Sequence, residues 1–466
     1  MNLIESPLTA ILLQVGEPAL TRRKHTLEIL GAALAAVDPG QAVRQAVSFA
    51  SGANKLVVAG REFYLDPFGK VIVVGAGKAG TPMAQAIAQV LGQRLTGGIV
   101  TVKYGYGPAG DSTAGPIQFR EAGHPVLDEA GIRATAEITG WLEGLEPRDT
   151  VLALISGGGS ALLEEPVEGV SLSDMQTLAN AMLKSGATIN QMNAVRKHLS
   201  RVKGGQLARL AAPARLIGLL LSDVVGSPLD VIASGPTVPD TTTFQDAWAI
   251  LERLGLTGPG AIAEPIRVYL HKGLAGQAPE TPKPGDRLFE RVYTVVVGDN
   301  RVAAQAGLAK ARQLGFNTML LSTFIEGEAR EVAKVMAGVA REILATDNPV
   351  ARPACLIAGG ETTVTIRGEG LGGRNQEMAL AAALAIDGLE NVLIVPLATD
   401  GSDGPTDAVG ALAEGDTISQ ARRLNLDPYD YLQRNDAYHF FEKAGGLLKT
   451  GPTNTNVNDL TLILVW

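Results

Sequence analysis

Residues 71–80, VIVVGAGKAG, constrain the fold more than any other stretch of the chain. Val71, Ile72, Val73 and Val74 form a short apolar run suited to a buried strand, and Gly75, Gly77 and Gly80 follow at G-x-G-x-x-G spacing. The next residues, TPMAQAIAQVLGQ, have helical character, with Pro82 near the start. A strand, a tight glycine turn and a helix N-terminus together make an anion site, because backbone N–H groups and the positive end of the helix dipole point at one spot. Lys78 adds a full positive charge there. The pattern leaves three ligands open: a dinucleotide, a nucleoside triphosphate or a phosphorylated substrate. The bland alternative is a tight turn that binds nothing.

The dinucleotide reading can be tested within the chain. A nicotinamide-binding unit usually carries Asp or Glu at the end of its second strand, where the carboxylate holds the ribose hydroxyls. Here that strand is GGIVTVKYG, which ends at Lys103 and Tyr104 with no carboxylate.

A length of 466 residues suggests two or three domains. The apolar fraction of 46%, rich in Gly, Ala, Val and Leu, suits parallel α/β domains. A formal net charge of −8 argues against non-specific nucleic-acid binding. No run of about 18 uninterrupted apolar residues marks a membrane span, and the N-terminus has no basic, signal-like region. The single cysteine, Cys355, excludes an intrachain disulfide and fits a reducing cytoplasm. It lies in the apolar run ACLIAGG, which favours a buried strand position over a nucleophile.

Strands alternate with helices along the chain, which implies a mainly parallel sheet with helices on both faces. Helical spacing covers residues 26–50, SLSDMQTLANAMLKSG and ATINQMNAVRKHLSRVKGGQLA. Composition shifts after Asp240 towards the Pro/Gly-rich GLAGQAPETPKPGD, and a second alternating series begins at RVYTVVVGDN and ends at DLTLILVW. The expected domains are therefore 1–240 and 241–466.

Polar, glycine-rich loops follow several strands, where ligands bind in open α/β sheets. Ser156, Gly157, Gly158, Gly159 and Ser160 offer N–H groups and hydroxyls to phosphate or carboxylate oxygens. Glu361, Asp400 and Asp403 are candidates for Mg²⁺, which takes a few hard carboxylates plus phosphate oxygens. Lys78 and Arg374 can neutralise charge on a transferring phosphoryl group. Arg374 opens a helix, where a cation is disfavoured unless an anion shares the site. Each loop also has a simpler reading as a strand terminator or capped turn. Asn193, Arg196 and Lys197 lie near one another on one helix, so Arg196 or Lys197 either clamps a carboxylate or belongs to a solvated face. His124, before Pro125, either touches substrate or fixes its loop. The five histidines lack metal-ligand spacing, and neither a G-x-S-x-G elbow nor a Walker-A loop is present.

The motifs VVGAGKAG, HPV, LISGGGSALL, INxxNxVRKHLSxxKGGxLA, SDVVG, IASGPTVPD, GGETTV, GxGxGGRNQE and TDGSDGPTDAxG run in order through nearly the whole chain. Together they resemble the class II glycerate 2-kinases, which carry a so-called MOFRL domain at the C-terminus, here about 350–460. The resemblance implies a Rossmann-like three-layer N-terminal domain and a C-terminal α/β domain with a mixed sheet, with the active site in the cleft between them. It implies transfer of the γ-phosphoryl of ATP to the 2-hydroxyl of D-glycerate, with Mg²⁺, by a cytoplasmic monomer or homodimer. It places the family's basic pair on Lys78 and Arg374. The substrate- and nucleotide-binding set is then Gly75, Gly77, Gly80, the Ser156–Ser160 loop, Asn193, Arg196 and Asn375. Some members of the family are named hydroxypyruvate reductase, so an NAD(P)H-dependent reductase is the alternative. A non-catalytic sensor of sugar acids or nucleotides is a further one.

Overall fold

Chain-local hydrophobicity decides the first unit. The computed structural model describes residues 3–108 and 114–466. A small antiparallel sheet of β1 (Val47–Ala50), β2 (Lys55–Val58) and β3 (Arg61–Tyr64) comes first. It precedes a larger sheet of β4 (Val71–Ala76), β5 (Gly97–Lys103), β6 (Ile117–Ala122), β7 (Thr150–Ile155), β8 (Arg215–Leu221) and β9 (Val292–Gly298), in the order β6-β5-β4-β7-β8-β9. The strands from β6 to β8 pair in parallel. Every residue of β4 and β7 is buried, as expected where helices cover both faces of a parallel sheet. The chain builds outward from β4 through β5 to β6, then crosses to β7 and builds the other way. The exits of β4 and β7 therefore diverge side by side, which is the crevice that open α/β sheets use for ligands.

The second unit has a mixed sheet: β10 (Asn317–Glu328), β11 (Ala354–Thr363), β12 (Val392–Ala398), β13 (Gly410–Ala411), β14 (Ala413–Glu414), β15 (Leu447–Leu448) and β16 (Asp459–Val465). The last strand, β16, inserts antiparallel between β11 and β12. Cys355 lies buried in β11, and burial pushes its thiol up to about 12, so it fills core.

The units divide differently from the composition. Pro39–Val297 form one, and the residues up to Asp38 join Gly298–Trp466 in the other. The helix Ala19–Ala36 reaches the second unit because Gly307, on the helix Asn300–Gln313, lets Ile29 and Ala33 come close; a Cβ there would sit 3.5 Å from each. The change at Asp240 marks a switch to helices Phe244–Arg253 and Glu264–Leu274, which share a core with the helix Ile189–Lys197 of the first unit. Two helix expectations also change. Residues 47–50 are strand, and the helix expected through 187–208 stops at Lys197, resuming at Gln206 after Gly204 (φ +56°) and Gly205 (φ +81°).

Glu280 ties this region together. It accepts from the Phe244 and Thr281 N–H groups at 3.1 and 2.9 Å and lies 2.8 Å from His198 Nε2. Burial raises its pKa, but His198 and the two N–H groups outweigh that and bring it from 4.5 to about 2. The stability this carboxylate contributes is thus complete above about pH 4.5 and disappears as the pH falls towards 2. Glu280→Gln is expected to start less stable at pH 7 and to lose less stability between pH 4.5 and 3 than the parent. Thermal melts of both proteins across that range check it, and parallel curves would reject it.

Candidate active site

The loops after β4 and β7 are knitted to each other. The Ser156 N–H donates to the Ala76 carbonyl at 3.1 Å, the Lys78 N–H to the Gly157 carbonyl at 2.9 Å, and the Ala79 N–H to Ser156 Oγ at 3.0 Å. The Gly77 N–H bonds the Thr101 carbonyl and the Gly80 N–H bonds the Gly77 carbonyl. Every N–H from Gly77 to Gly80 is therefore consumed within the protein. The glycines serve close approach instead: a Cβ on Gly77 would stand 2.2 Å from Ser156 Oγ, on Gly75 2.4 Å from the Leu154 carbonyl, and on Gly80 2.7 Å from Val100. The first loop is not the amide cradle expected from its sequence, and Ser156 fastens the loops together.

The second loop keeps free donors. Among the described residues, the N–H groups of Gly157 and Gly158 have no acceptor. Gly158 (φ +82°) lies beneath the His124 imidazole, and a Cβ there would be 2.8 Å from Cδ2 and 2.9 Å from Nε2. Gly159 is held against Ala233. Ser160 Oγ pairs with Ser234 Oγ at 3.0 Å, and Ser234 donates to Asn193 Oδ1 at 3.0 Å, so Ser160 and Asn193 brace the loop from below. The fully buried Lys203 ammonium clamps the Ser160 and Leu163 carbonyls at 2.8 and 2.7 Å and pairs with Glu164 at 3.4 Å. Sequence reasoning passed over this clamp, whose one signal is a lysine directly before Gly204-Gly205.

Two cations at this end of the sheet have no carboxylate within ion-pair distance among the described residues: the Lys78 ammonium and the half-buried Arg196 guanidinium. Burial lowers the Arg196 pKa, opposed by the charge of Glu164 nearby. Lys197 is different, being buried and paired with Asp240 at 3.3 Å and Asp230 at 3.6 Å, so its role is structural.

In the second unit the antiparallel insertion of β16 decides the geometry. Asp459 opens that strand opposite Gly360 of β11 and Ala398 of β12, at the edge where those two strands end. Arg374 begins the helix Arg374–Ala385. Its guanidinium grips Asp459 through two bonds of 2.5 and 3.0 Å and meets Glu361 at 3.1 Å. Burial alone would lower the Arg374 pKa, but Asp459, Glu361 and Asp403 raise it above its ordinary value. The anion that makes an arginine tolerable here is thus protein carboxylate, chiefly Asp459, a residue not singled out from the sequence.

The three expected metal ligands do not form one set. Asp403 is buried, and both its oxygens cap the helix: Oδ1 accepts from the Asn375 N–H at 3.1 Å and from Asn375 Nδ2 at 3.2 Å, and Oδ2 from the Gln376 N–H at 2.8 Å. Asn375 is accordingly an internal strut with no exposure. Among the described residues no three His, Cys, Asp or Glu side chains gather as a metal cage. The partly exposed Glu361 and Asp400 fit Mg²⁺ chemistry better, since that ion is usually held by one or two carboxylates plus substrate phosphate.

Matches to known proteins cover this whole arrangement. The family models "Domain of unknown function (DUF4147)" and "MOFRL family" match residues 25–270 and 354–459. "D-glycerate 2-kinase" of Thermotoga maritima is 41% identical over 95% of this chain and 98% of its own. The chain belongs to the MOFRL-domain glycerate 2-kinase family. A crystal structure of glycerate kinase from Thermotoga maritima superposes with a TM-score of 0.85 at 40% identity, covering 96% of this chain and all of that one. An Agrobacterium vitis protein with the provisional name hydroxypyruvate reductase is 44% identical over 86% of this chain and 88% of its own.

For this family member, the position of Asp403 makes a stability prediction. Burial raises its pKa to about 6, against the pull of the Gln376 and Asn375 N–H groups. Asp403→Ala leaves those buried donors without an acceptor, at about 1–3 kcal/mol each. The melting temperature is expected to fall by several degrees, while the Mg²⁺ concentration for half-maximal activity stays within about threefold, an order-of-magnitude margin. A metal titration displaced far beyond that, at unchanged stability, would return Asp403 to the metal site.

Proposed function

We propose that this glycerate 2-kinase transfers the γ-phosphoryl of ATP to the 2-hydroxyl of D-glycerate, giving 2-phosphoglycerate and ADP. The observation that carries the reading is the end of β4 and β7, where among the described residues Lys78 and Arg196 have no carboxylate within ion-pair distance and the Gly157 and Gly158 N–H groups have no acceptor. Such a set is made for phosphate and carboxylate oxygens. The N–H pair and Lys78 take phosphoryl oxygens, and Arg196 takes the glycerate carboxylate. Arg374, held in a fixed orientation by Asp459, supplies the second cation. Phosphoryl transfer depends mainly on such positioning and charge.

Glu361 and Asp400 would hold Mg²⁺, which would supply neutralisation of charge on the phosphate chain. A cytoplasmic enzyme, acting as monomer or homodimer on small molecules, fits this reading. No helix of the described residues is long and apolar enough to cross a membrane.

The reductase reading is disfavoured by two observations. The glycine loop has no free amides for a pyrophosphate, and the strand that should end in a ribose-binding carboxylate ends at Lys103. Phosphorus NMR of the protein with ATP, Mg²⁺ and D-glycerate is expected to show ADP and 2-phosphoglycerate. A parallel tube of hydroxypyruvate and NADH is expected to keep its nicotinamide absorbance. NADH loss without phosphate transfer would reverse the assignment.

Lys78→Ala and Arg374→Ala are each expected to lower turnover by about 10²–10³. Arg374→Ala also leaves buried Asp459 without its partner, so its rate is compared per folded molecule. Near-normal turnover in both variants would remove these residues from the mechanism.

A further inference from the structure

The kinase reading leaves open what receives the proton of the substrate hydroxyl. Three carboxylates of the first unit are committed to other partners, and Asp223, against Gly157, is engaged as well. Asp240 is buried against Lys197, and Glu164 is buried beside Lys203. Asp128 accepts the Gly123 and Gly131 N–H groups as a helix cap, and the Tyr104 hydroxyl as well. His124 is different. It follows the end of β6, its ring lies on Gly158, and neither ring nitrogen has a hydrogen-bond partner among the described residues. Gly158, whose N–H has no acceptor among the described residues, is in contact with the ring. Lys78, whose own N–H is bonded to Gly157, is close enough to repel a proton on the ring.

We infer that the His124 imidazole is the catalytic proton acceptor for the 2-hydroxyl of glycerate. The inference rests on the kinase reading above. In the transfer, the hydroxyl O–H bond breaks and its proton passes to an unprotonated ring nitrogen. The hydroxyl oxygen bonds the γ-phosphorus, the bond from that phosphorus to the β–γ bridging oxygen breaks, and ADP leaves with the electron pair. The imidazolium then returns its proton to solvent.

The groups facing the ring support a neutral starting state. Burial, then Lys78 and Lys103, lower the His124 pKa to about 4. The nearby acids are Asp128, committed to its cap, and Asp223, whose carboxylate lies against Gly157. An anion settling on Lys78 and the two N–H groups cancels part of the cationic field and makes the ring a stronger base. The acceptor is thus strengthened by occupancy of the phosphate site, which matches its basicity to the step it performs.

The test starts from glycerate-dependent ADP formation by the parent enzyme. Its absence would overturn the kinase reading itself, and with it this inference. Given that activity, His124→Gln is expected to lower kcat by about 10²–10³ with a KM for glycerate within about threefold, and to remove the acidic limb of the kcat–pH profile. In His124→Ala, free imidazole is expected to restore part of the rate. A kcat within threefold of the parent, or an acidic limb that persists in His124→Gln, would overturn the assignment while leaving the kinase intact. Because a variant can fail to fold, His124 is also titrated in the parent by NMR of ¹³C-labelled histidine, with and without inorganic phosphate. An upward pKa shift with phosphate supports the proposal, and an unchanged pKa overturns it.

Discussion

The bonds between the loops after β4 and β7 set the chemistry of the first unit. Three of them join neighbouring strand exits: Ser156 N–H to Ala76, Lys78 N–H to Gly157, and Ala79 N–H to Ser156 Oγ. Their closeness demands glycine at position 77, where any Cβ would strike Ser156. They also redistribute donors. The first loop gives up its amides to hold the second in place, and the second is left with the Gly157 and Gly158 N–H groups without an acceptor among the described residues. A glycine fingerprint alone cannot show which of two adjacent loops gives and which receives, because that depends on which strands are neighbours in the sheet.

The support under the second loop follows the same logic. Ser234, Ser160 and Asn193 form one hydrogen-bonded chain, and Lys203 ties the carbonyls of Ser160 and Leu163. A buried ammonium is costly unless its charge is satisfied, and Lys203 has two carbonyls and a carboxylate around it. Burial lowers its pKa while Glu164 opposes the shift. The loop is therefore braced next to its free N–H groups, which suits the phosphoryl role proposed for them above.

How much of this was legible in the sequence depended on how local each feature is. The strand–turn–helix at 71–91 and the alternation of strands and helices rest on nearest-neighbour hydrophobic spacing, and the expected elements formed there. The insertion of β16 between β11 and β12 pairs it with strands about a hundred and about sixty to seventy residues earlier, with no local signature, so Asp459 read only as the start of an apolar strand. The same holds for the N-terminal helix, which joins the distant second unit through the gap at Gly307. Asp403 was visible as a carboxylate, but its two bonds to backbone N–H groups depend on a helix that starts about thirty residues earlier.

Arg374 shows why a helix N-terminus here can hold a cation at all. The dipole disfavours it by a few tenths to about 1 kcal/mol, and three carboxylates within its reach more than offset that. Asp403 is spent on the helix amides, Asp459 on a two-bond grip, and Glu361 completes the set from the half-exposed side. Burial raises the pKa of Asp459, opposed by the guanidinium beside it. Of the three, Glu361 is the one with solvent access, so it can exchange Arg374 for another cation without exposing a buried charge. A cation arriving with substrate phosphates would draw Glu361 away and leave Arg374 oriented by Asp459 alone, with one donor nitrogen released for a phosphoryl oxygen. On the kinase reading proposed above, the salt bridge between Arg374 and Glu361 would be the exchangeable contact, and the buried two-bond grip of Asp459 on Arg374 the fixed one.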